Sequence, residues 1–325
     1  MFTFVIRTLF MLLAALCAVH AQDYPNKSIT IIVPFAAGGP TDTLARNLGV
    51  TLTNSLKQQV VIDNSGGAGG TIGINKVAKA KPDGYTLLLM HIGMATAPAL
   101  YRKLPYDTLN DFEFIGQVAD VPMTMLGKKA LPPNNLKELL PYIKANKDKL
   151  NYGNAGIGAA SHLCGLLFMS QIEADLNTVS YKGTAPAMVD LMGGQIDLMC
   201  DQTTNTTGQI EAKTIKAFAV TTSKRLGIPS LKDLPTLDES GFKGFEVTIW
   251  HGLYAPKGTP ADVLTKINAA LKTALKDPEF IKKQQSLGAV VVTDKRVEPA
   301  EHRKFVQAEI DKWGPVIKAA GVYAD

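Results

Sequence analysis

The sequence predicts an α/β fold built from two doubly wound domains. Short apolar runs alternate with helical stretches along the chain, and strands separated by helices are typical of parallel sheets with right-handed crossovers. The 325 residues are enough for two domains of ordinary size. A strand, a glycine-containing turn and a helix start occur twice, at residues 33–44 and 151–163, which favours one such unit in each domain.

The strands are predicted from short runs that are rich in apolar and β-branched residues. They cover residues 29–33, 60–62, 85–90, 114–118, 150–153, 178–181, 196–200, 215–220 and 290–292. The helices are predicted from apolar residues at helical spacing, and several begin at a proline, which suits a first helical turn. They cover residues 42–56, 71–80, 136–146, 161–172, 186–192, 260–276, 278–287 and 299–320. Trp250 and His251 lie between helix-rich regions, either in a segment that crosses back between the domains or in simple core packing.

Residues 1–21 are predicted to be a signal peptide. Arg7 supplies a positive charge, residues 9–19 form an apolar core too short to span a bilayer, and residues 19–21 fit a small-residue cleavage site. Cys17 follows Leu16 rather than a small residue, which argues against a lipoprotein. We therefore expect an exported, soluble mature chain that begins at Gln22.

The composition argues against nucleic acid as a partner. The formal charge of +5 is spread along the chain, and no dense block of Lys and Arg indicates a nucleic-acid or membrane patch. Hydrophobic residues make up 46% of the chain and charged residues 19%, as in an ordinary globular protein.

The mature chain keeps two cysteines, Cys164 and Cys200. In an oxidising compartment they can pair only if their Cα atoms lie within about 7 Å of each other. Nothing in the sequence brings them together, so we expect two buried free thiols rather than a disulfide.

The most informative segment is the turn that follows the first predicted strand. The apolar run ends at Pro34, small residues and two glycines follow, and Thr41 and Asp42 open an amphipathic helix. A helix N-terminus presents free backbone N–H groups and a partial positive charge, and glycines let a ligand approach the backbone. The segment is therefore either an anion site or an ordinary βα turn.

The second glycine-containing turn, at residues 151–163, would place another helix N-terminus at a cleft shared by two lobes. Ser161 is interpreted as a helix cap or a ligand donor, because neighbours on a helix start, such as Ser161 and His162, point in different directions. Asp201 follows a strand, where open α/β sheets bind ligands, and it could equally cap the next helix.

Other local patterns carry less functional information. The segment 66–73 is rich in glycine but lacks the G-x-G-x-x-G spacing, so we favour a flexible loop over a ligand contact. Nucleophile-elbow, zinc-protease, C-x-x-C and P-loop signatures are missing. His91, His162, His251 and His302 stand far apart in the sequence, so we expect no metal site, no cofactor and no catalytic residue.

A set of short motifs, taken in order, identifies a family. The motifs are Tyr24-Pro25, Ile31-Ile32-Val33-Pro34-Phe35-Ala36-Ala37-Gly38-Gly39 with Thr41-Asp42, Lys81-Pro82-Asp83-Gly84-Tyr85-Thr86-Leu87, Leu100-Tyr101, Asp111-Phe112, Ser161-His162-Leu163, Tyr181-Lys182-Gly183, Gly193-Gly194-Gln195-Ile196-Asp197 and Asp201. They cover nearly all of residues 22–325, and the ordered set is highly specific. The chain resembles the Bug (TctC-like) periplasmic solute-binding proteins of tripartite tricarboxylate transporters.

The resemblance implies a two-lobed periplasmic binding protein of the Venus-flytrap, type II-like class, with a cleft between the lobes. Residues 22–123 and 247–325 would form domain 1, and residues 124–246 would form domain 2. The protein would be a periplasmic monomer and not an enzyme. It would capture a small organic carboxylate, without a cofactor, and deliver it to the membrane subunits of a tripartite transporter.

The resemblance also implies a set of binding residues. The turns at 35–42 and 156–162 would hold one carboxylate group, partly through ordered water, and the turn at 181–185 would line the domain 2 side together with Asp201. The expected ligand-binding residues are Phe35, Ala36, Ala37, Gly38, Gly39, Thr41, Asp42, His91, Gly158, Ser161, His162, Tyr181, Gly183, Thr184, Ala185 and Asp201.

The chain departs from the family pattern just after the strand at 85–90. Where the family often carries Thr-His followed by Asn-Pro, this chain has His91, then Met94 and Ala95 before Pro98. A less polar wall at this place favours an aromatic carboxylate or a longer dicarboxylate. Two other functions stay open: a sensory module that presents the liganded lobe to a receptor, and an exported hydrolase that uses Ser161, His162 and Asp201.

Overall fold

The computed structural model describes residues 24–319, 321, 323 and 324, so the predicted signal peptide lies outside the described residues. Within this part of the chain the strands are β1 Ile29–Val33, β2 Val60–Asn64, β3 Thr86–His91, β4 Phe112–Lys128, β5 Asn151–Asn154, β6 Asn177–Ser180, β7 Leu198–Gln202, β8 Ile215–Val220, β9 Thr248–Pro256 and β10 Val290–Val291. The α-helices are α1 Pro40–Leu56, α2 Thr71–Ala78, α3 Gly93–Leu100, α4 Leu136–Asn146, α5 Ala160–Ile172, α6 Thr184–Met192, α7 Thr203–Glu211, α8 Ala261–Ala274, α9 Pro278–Ser286 and α10 Pro299–Ala319. No helix among these residues is long and apolar enough to cross a membrane.

One strand, β4, belongs to both halves of the molecule. The hydrogen-bonded strands follow the order β2-β1-β3-β9-β4-β7-β5-β6, and β8 and β10 also pair with β4. Residues 112–122 of β4 pair with β9, whereas residues 123–128 pair with β7 and β8. We call the part around β1, β2, β3, β9 and the start of β4 the first lobe. The part around β5 to β8 and the end of β4 is the second lobe.

Parallel and antiparallel pairs are mixed in both lobes. Strand β1 is parallel to β2 and β3, and β5 is parallel to β6 and β7, as the alternation of strands and helices predicts. The pairs that involve β4 or β9 are antiparallel. The expectation of parallel sheets is therefore correct only away from β4 and β9, because these two strands carry the chain between the lobes in opposite directions.

Sequence patterns did not predict β9, α3 and α7. Trp250 and His251 are buried within β9, which pairs with β3 and with the first-lobe half of β4, so core packing is the interpretation that the structure supports. Strand β9 is buried on both faces and therefore lacks the alternation of a half-exposed strand. Helix α3 is almost wholly apolar, and α7 begins with a Thr-rich run of low helix propensity, so neither shows an amphipathic helical pattern.

The C-terminal helix α10 fastens the crossing strand β9 to the first lobe. It packs on α3 and β4. The carboxylate of Glu309 accepts hydrogen bonds from the indole nitrogens of Trp250, at 2.9 Å, and Trp313, at 3.0 Å. Trp250 also meets the Phe305 ring edge to face. The C-terminal helix therefore completes the lobe that the N-terminal strands begin.

Thr221 joins the two connections between the lobes. Its hydroxyl donates to the Val247 carbonyl at 2.6 Å and accepts from the Met123 N–H at 3.1 Å. Its backbone also pairs with Met123 and Val247. The side chain is fully buried, so these bonds are shielded from water. The domain boundaries at 123/124 and 246/247 stay a proposal, and they fall beside this network.

Cys164 on α5 and Cys200 on β7 form a disulfide, so the expectation of two free thiols is wrong. Helix α5 packs against β7, and this contact brings the two Cα atoms to 6.2 Å, within the range that a disulfide requires. The partners are 36 residues apart in the sequence, and their proximity depends on how α5 folds back over the sheet.

The disulfide predicts a stability that depends on reductant. Closing a loop of this length stabilises a fold by about 4 kcal/mol in the chain-entropy model. We expect reduction to lower the melting temperature of the wild-type chain by roughly 5–10 °C, as measured by circular dichroism with and without a phosphine reductant. The double variant C164S/C200S is the control, because its melting temperature should already be lowered and should not respond to reductant. Equal melting of wild type in both conditions would contradict a disulfide that contributes to stability.

Candidate functional site

A small cavity lies where the two lobes meet. It has room for about one water molecule, far below the range of about 300–1,000 Å³ that is usual for ligand sites. Its walls come from the start of α1 and the end of β3 in the first lobe, and from the starts of α5 and α6 and the end of β7 in the second. The lining residues are Phe35, Pro40, Thr41, His91, Ala155, Ala159, Ala160, Ser161, Thr184, Asp201 and Gln202.

Four helix N-termini converge on this cavity. Helix α1 contributes Thr41, α5 contributes Ser161 and α6 contributes Thr184, while Gln202 is the residue that precedes α7. None of the four helices has a side-chain cap. Their first-turn N–H groups and the positive ends of their dipoles are therefore available to an anion. No Lys or Arg of the described residues lines the cavity.

Asp42 shapes the first of these N-termini. Its carboxylate accepts hydrogen bonds from the Gly38 N–H at 2.8 Å, from Arg46 Nε at 2.8 Å and from Asn64 Nδ2 at 3.0 Å. Asn64 also donates to the Phe35 carbonyl at 3.1 Å. Burial alone would raise the pKa of Asp42, but these three hydrogen bonds outweigh burial and hold the pKa below its usual value. Asp42 therefore braces the turn and does not line the cavity.

Two neutral histidines back the first-lobe wall. The His91 ring stacks on Phe35 with centroids 4.8 Å apart and meets His251 edge to face at 5.7 Å. His91 Nδ1 accepts from the Gly93 N–H at 3.1 Å, and His251 Nε2 lies 3.3 Å from the Thr41 hydroxyl. Burial lowers the pKa of His251 to about 3. Burial and then the neighbouring His251 hold the pKa of His91 well below its usual value, so both rings are uncharged at neutral pH.

The second-lobe wall contains polar groups with unused hydrogen-bonding capacity. The Ser161 hydroxyl oxygen accepts from the Ala155 N–H at 2.8 Å, which leaves its own proton to donate. Thr184 Oγ1 and Gln202 Oε1 are buried without a hydrogen-bond partner. Asp201 is fully buried, and its carboxyl accepts from the Gln202 N–H at 2.8 Å and from Asn205 Nδ2 at 2.6 Å. Burial raises the pKa of Asp201 to about 6.

Only some of the ligand-binding residues that the sequence predicted line the cavity. Those that line the cavity are Phe35, Thr41, His91, Ser161, Thr184 and Asp201. Those that do not line it are Ala36, Ala37, Gly38, Gly39, Asp42, Gly158, His162, Tyr181, Gly183 and Ala185. Sequence reasoning missed Pro40, Ala155, Ala159, Ala160 and Gln202, all of which adjoin or lie within predicted turns, and the second-layer His251.

Most of the predicted residues that do not line the cavity hold the two lobes together. The Ala36 N–H donates to the Lys182 carbonyl at 2.9 Å, and a Cβ on Gly183 would lie 2.8 Å from the same Ala36 nitrogen. A Cβ on Gly38 would lie 3.8 Å from that of Ala185. The turn at 35–39 therefore contacts the turn at 182–185 directly. Backbone approach of this kind needs small residues on both sides.

His162 and Tyr181 are engaged away from the cavity. His162 Nδ1 accepts from the Gly158 N–H at 3.4 Å, and burial lowers the pKa of His162 to about 4. The Tyr181 hydroxyl donates to the Asp190 carboxylate at 2.7 Å. Because the Ser161 hydroxyl and His162 hold different backbone groups, they do not form a nucleophile and base pair. Within the described residues no cluster of three or more His, Cys, Asp or Glu could hold a metal ion.

The glycine-rich segment 66–70 is a contact between the lobes and not a free loop. A Cβ on Gly69 would overlap the Ile157 carbonyl oxygen, and Gly69 has a φ of +60°. The Tyr101 hydroxyl lies 2.7 Å from the Ala68 carbonyl and 2.8 Å from the Ile157 carbonyl. Thr96 adds a hydrogen bond from its hydroxyl to the Gly158 carbonyl at 3.1 Å. We call this set of contacts the glycine latch.

Comparison with known proteins identifies relatives along almost the whole chain. The family described as tripartite tricarboxylate transporter family receptor, TctC, matches residues 44–322. The structure of the periplasmic binding protein BugD is 52% identical, with a TM-score of 0.90, over 92% of this chain and 99% of that one.

Two further solved relatives contain bound dicarboxylates. MatC from Rhodopseudomonas palustris, with bound malate, is 38% identical with a TM-score of 0.86, over 90% of this chain and 100% of that one. The R. palustris protein Rpa4515, with adipate, is 35% identical with a TM-score of 0.87, over 93% of this chain and 99% of that one. The two-lobed fold is therefore shared with periplasmic binding proteins.

Removing the Asp42 carboxylate should destabilise the fold. In Asp42→Ala the Gly38 N–H and the Asn64 amide lose their partner, so we expect the free energy of unfolding to fall by roughly 1–3 kcal/mol at pH 7. Since the pKa of Asp42 is lowered by folding, its contribution is present above the unfolded pKa and is lost as pH falls through the folded value. Urea titrations at pH 7 and pH 3 should therefore show the deficit of the variant shrinking in acid. Asp148→Ala, at an exposed position, is the control, and a similar effect in both variants would contradict the bracing role.

A side chain at Gly69 should loosen the contact between the lobes. In Gly69→Ala the added methyl group clashes with the Ile157 carbonyl, so we expect the Ala36 amide, which donates across the cleft, to exchange its hydrogen at least tenfold faster. The matched control is Gly194→Ala, because Gly194 also has a positive φ, +78°, but a Cβ there meets no atom within 4 Å. Exchange measured by mass spectrometry should separate the two variants, and equal rates would show that the latch does not hold the lobes.

Proposed function

Since the chain belongs to the TctC family of Bug-type solute-binding proteins, we propose that it is a periplasmic receptor that captures a small organic dicarboxylate. In this proposal it delivers its ligand to the membrane subunits of a tripartite transporter. The observation that carries the proposal is the convergence of four uncapped helix N-termini on one cavity without a Lys or Arg side chain. Such a site suits a carboxylate, because backbone N–H groups can hold both of its oxygens.

We infer the ligand class from the polar lining of the cavity and from the ligands of two solved relatives. Malate and adipate, the ligands of the two solved relatives, are aliphatic dicarboxylates. The hydroxyls of Thr41, Ser161 and Thr184 offer additional polar contacts. Met94 and Ala95, which suggested an aromatic ligand from the sequence, are buried in α3 and do not line the cavity. Of the two expected classes, these observations favour a dicarboxylate over an aromatic acid.

Closure of the lobes would complete the site. The first-lobe N-terminus of α1 and the second-lobe N-termini of α5, α6 and α7 face one ligand only when the lobes are together. The Ala36 to Lys182 hydrogen bond and the glycine latch connect the lobes in this closed arrangement. The buried Thr221 network lies at the two crossing segments, where a small change in backbone angles would open the cleft.

A ligand screen tests the proposal. We expect one or more of succinate, malate and adipate to raise the melting temperature, since a ligand at about 100 times its dissociation constant adds roughly 2.7 kcal/mol. Benzoate and simple amino acids should give smaller shifts, and isothermal titration would give the affinities. If succinate, malate and adipate all leave the melting temperature unchanged, the proposal of a dicarboxylate receptor is wrong.

Gly39→Val tests whether the turn at the start of α1 must approach the second lobe for the ligand to bind. The extended backbone of Gly39 accepts a valine, and its branches would enter the space near Thr184 of the second lobe. We expect loss of the ligand-induced shift in melting temperature. Gly227→Val, in an exposed loop where a Cβ meets no atom within 4 Å, should keep the shift. Wild-type affinity in Gly39→Val would contradict the need for this approach.

A further inference from the structure

We propose that Asp201 is a neutral carboxylic acid in the complex and donates a hydrogen bond to the ligand carboxylate. Binding of the ligand therefore takes up one proton. This inference rests on the proposed function and states how the site recognises its ligand. It requires that the ligand be an anion without a compensating ammonium group. The proton comes from solvent and is carried by the Asp201 carboxyl, so that no covalent bond to the ligand forms or breaks.

The first support is the position of Asp201. Its side chain lines the small cavity between the lobes and is fully buried. A dicarboxylate held at the helix N-termini that line this cavity would place a carboxylate close to that of Asp201. Two ionised carboxylates in contact, away from water, repel strongly, and such pairs share a proton instead.

The second support is the lack of a compensating cation. The titratable groups that face or adjoin Asp201 are Tyr152 on β5 and, across the cavity, His91. Burial raises the pKa of Tyr152 and lowers that of His91, so both are neutral near pH 7. The remaining neighbours, Thr124 on β4, Thr184 on α6 and Asn205 on α7, carry no charge. No charged side chain in the described wall therefore neutralises a second negative charge, and beyond the partial charges of the helix N-termini a proton is what remains to do so.

The third support is the hydrogen-bonding geometry. Asp201 Oδ1 accepts from the Gln202 N–H and Oδ2 accepts from Asn205 Nδ2, so each oxygen has one fixed donor. A protonated Oδ2 can keep its Asn205 contact and still direct its hydrogen toward a ligand oxygen. Because burial raises the pKa of Asp201 to about 6 in the free protein, protonating Asp201 at neutral pH requires little free energy.

The test is the pH dependence of affinity for malate, succinate and adipate between pH 6.5 and 8.5, where these acids are already ionised. For wild type we expect the dissociation constant to rise at least tenfold across this range, because Asp201 must be protonated for binding. Calorimetry in two buffers of different ionisation enthalpy should show uptake of close to one proton at pH 8. His251 and His162, with pKa values of about 3 and 4, stay neutral throughout and do not add to the slope.

Asp201→Asn is the informative variant, because an amide imitates the neutral acid and offers a permanent N–H donor. The Asn205 amide can turn to present its oxygen to the new donor. We expect the variant to bind the dicarboxylate with an affinity that changes less than twofold over the pH range and exceeds that of wild type at pH 8.5. Asp148→Asn removes the same charge from the surface and should keep the wild-type pH profile.

Three results would overturn the proposal. One is a wild-type affinity that does not change with pH, and another is complete loss of dicarboxylate binding in Asp201→Asn. The third is preference for an amino acid whose binding requires ionised Asp201. In the first two cases wild type still binds a dicarboxylate, and the proposed function survives. In the third case the chain is still a receptor for an organic acid, but its ligand class differs from the one proposed. If no acid binds wild type at any pH, the proposed function fails as well.

Discussion

The sharing of strand β4 between two lobes is the constraint on which the rest of the structure depends. One half of this strand pairs with β9 and the other half pairs with β7 and β8. Neither lobe can complete its sheet without it, so the lobes stay joined along this strand. The chain returns through β9, which Trp250 and Glu309 attach to α10. The two connections meet at Thr221, which is hydrogen-bonded to Met123 and Val247, so the proposed closure would bend the chain in this region.

This arrangement explains how an anion site can exist without cationic side chains. The starts of α1, α5, α6 and α7 lie at the edge where the two lobes face each other. Each uncapped N-terminus contributes roughly half a positive charge, and a water-poor cavity strengthens its effect. Backbone donors have fixed positions and lose no side-chain entropy on binding. Among the described residues that line the cavity, Asp201 is the acidic one, and in our proposal its protonation state adjusts the total charge to that of the ligand.

The sequence predicted the parts of the fold and the site that depend on local patterns. Glycine and small residues before a helix start identified the turns that carry Thr41 and Ser161, and both line the cavity. It did not predict what depends on contacts between distant segments. The Cys164–Cys200 disulfide needs α5 to lie on β7, and the crossing strand β9 has no alternation because both of its faces are buried. Gln202 was missed because a strand end does not reveal which of its last residues faces the ligand.

The glycine-rich segment 66–70 shows that a sequence pattern typical of ligand loops can serve a contact between the lobes instead. In the sequence it looks like an imperfect nucleotide loop, yet the structure uses it where two backbones meet. Gly69 lies against the Ile157 carbonyl, and a Cβ on Gly66 would lie 2.8 Å from the Lys182 carbonyl. Side chains at these positions would keep the lobes apart by at least the width of a methyl group. Both lobes line the proposed anion site, and the lack of side chains in this segment lets the two lobes approach each other there.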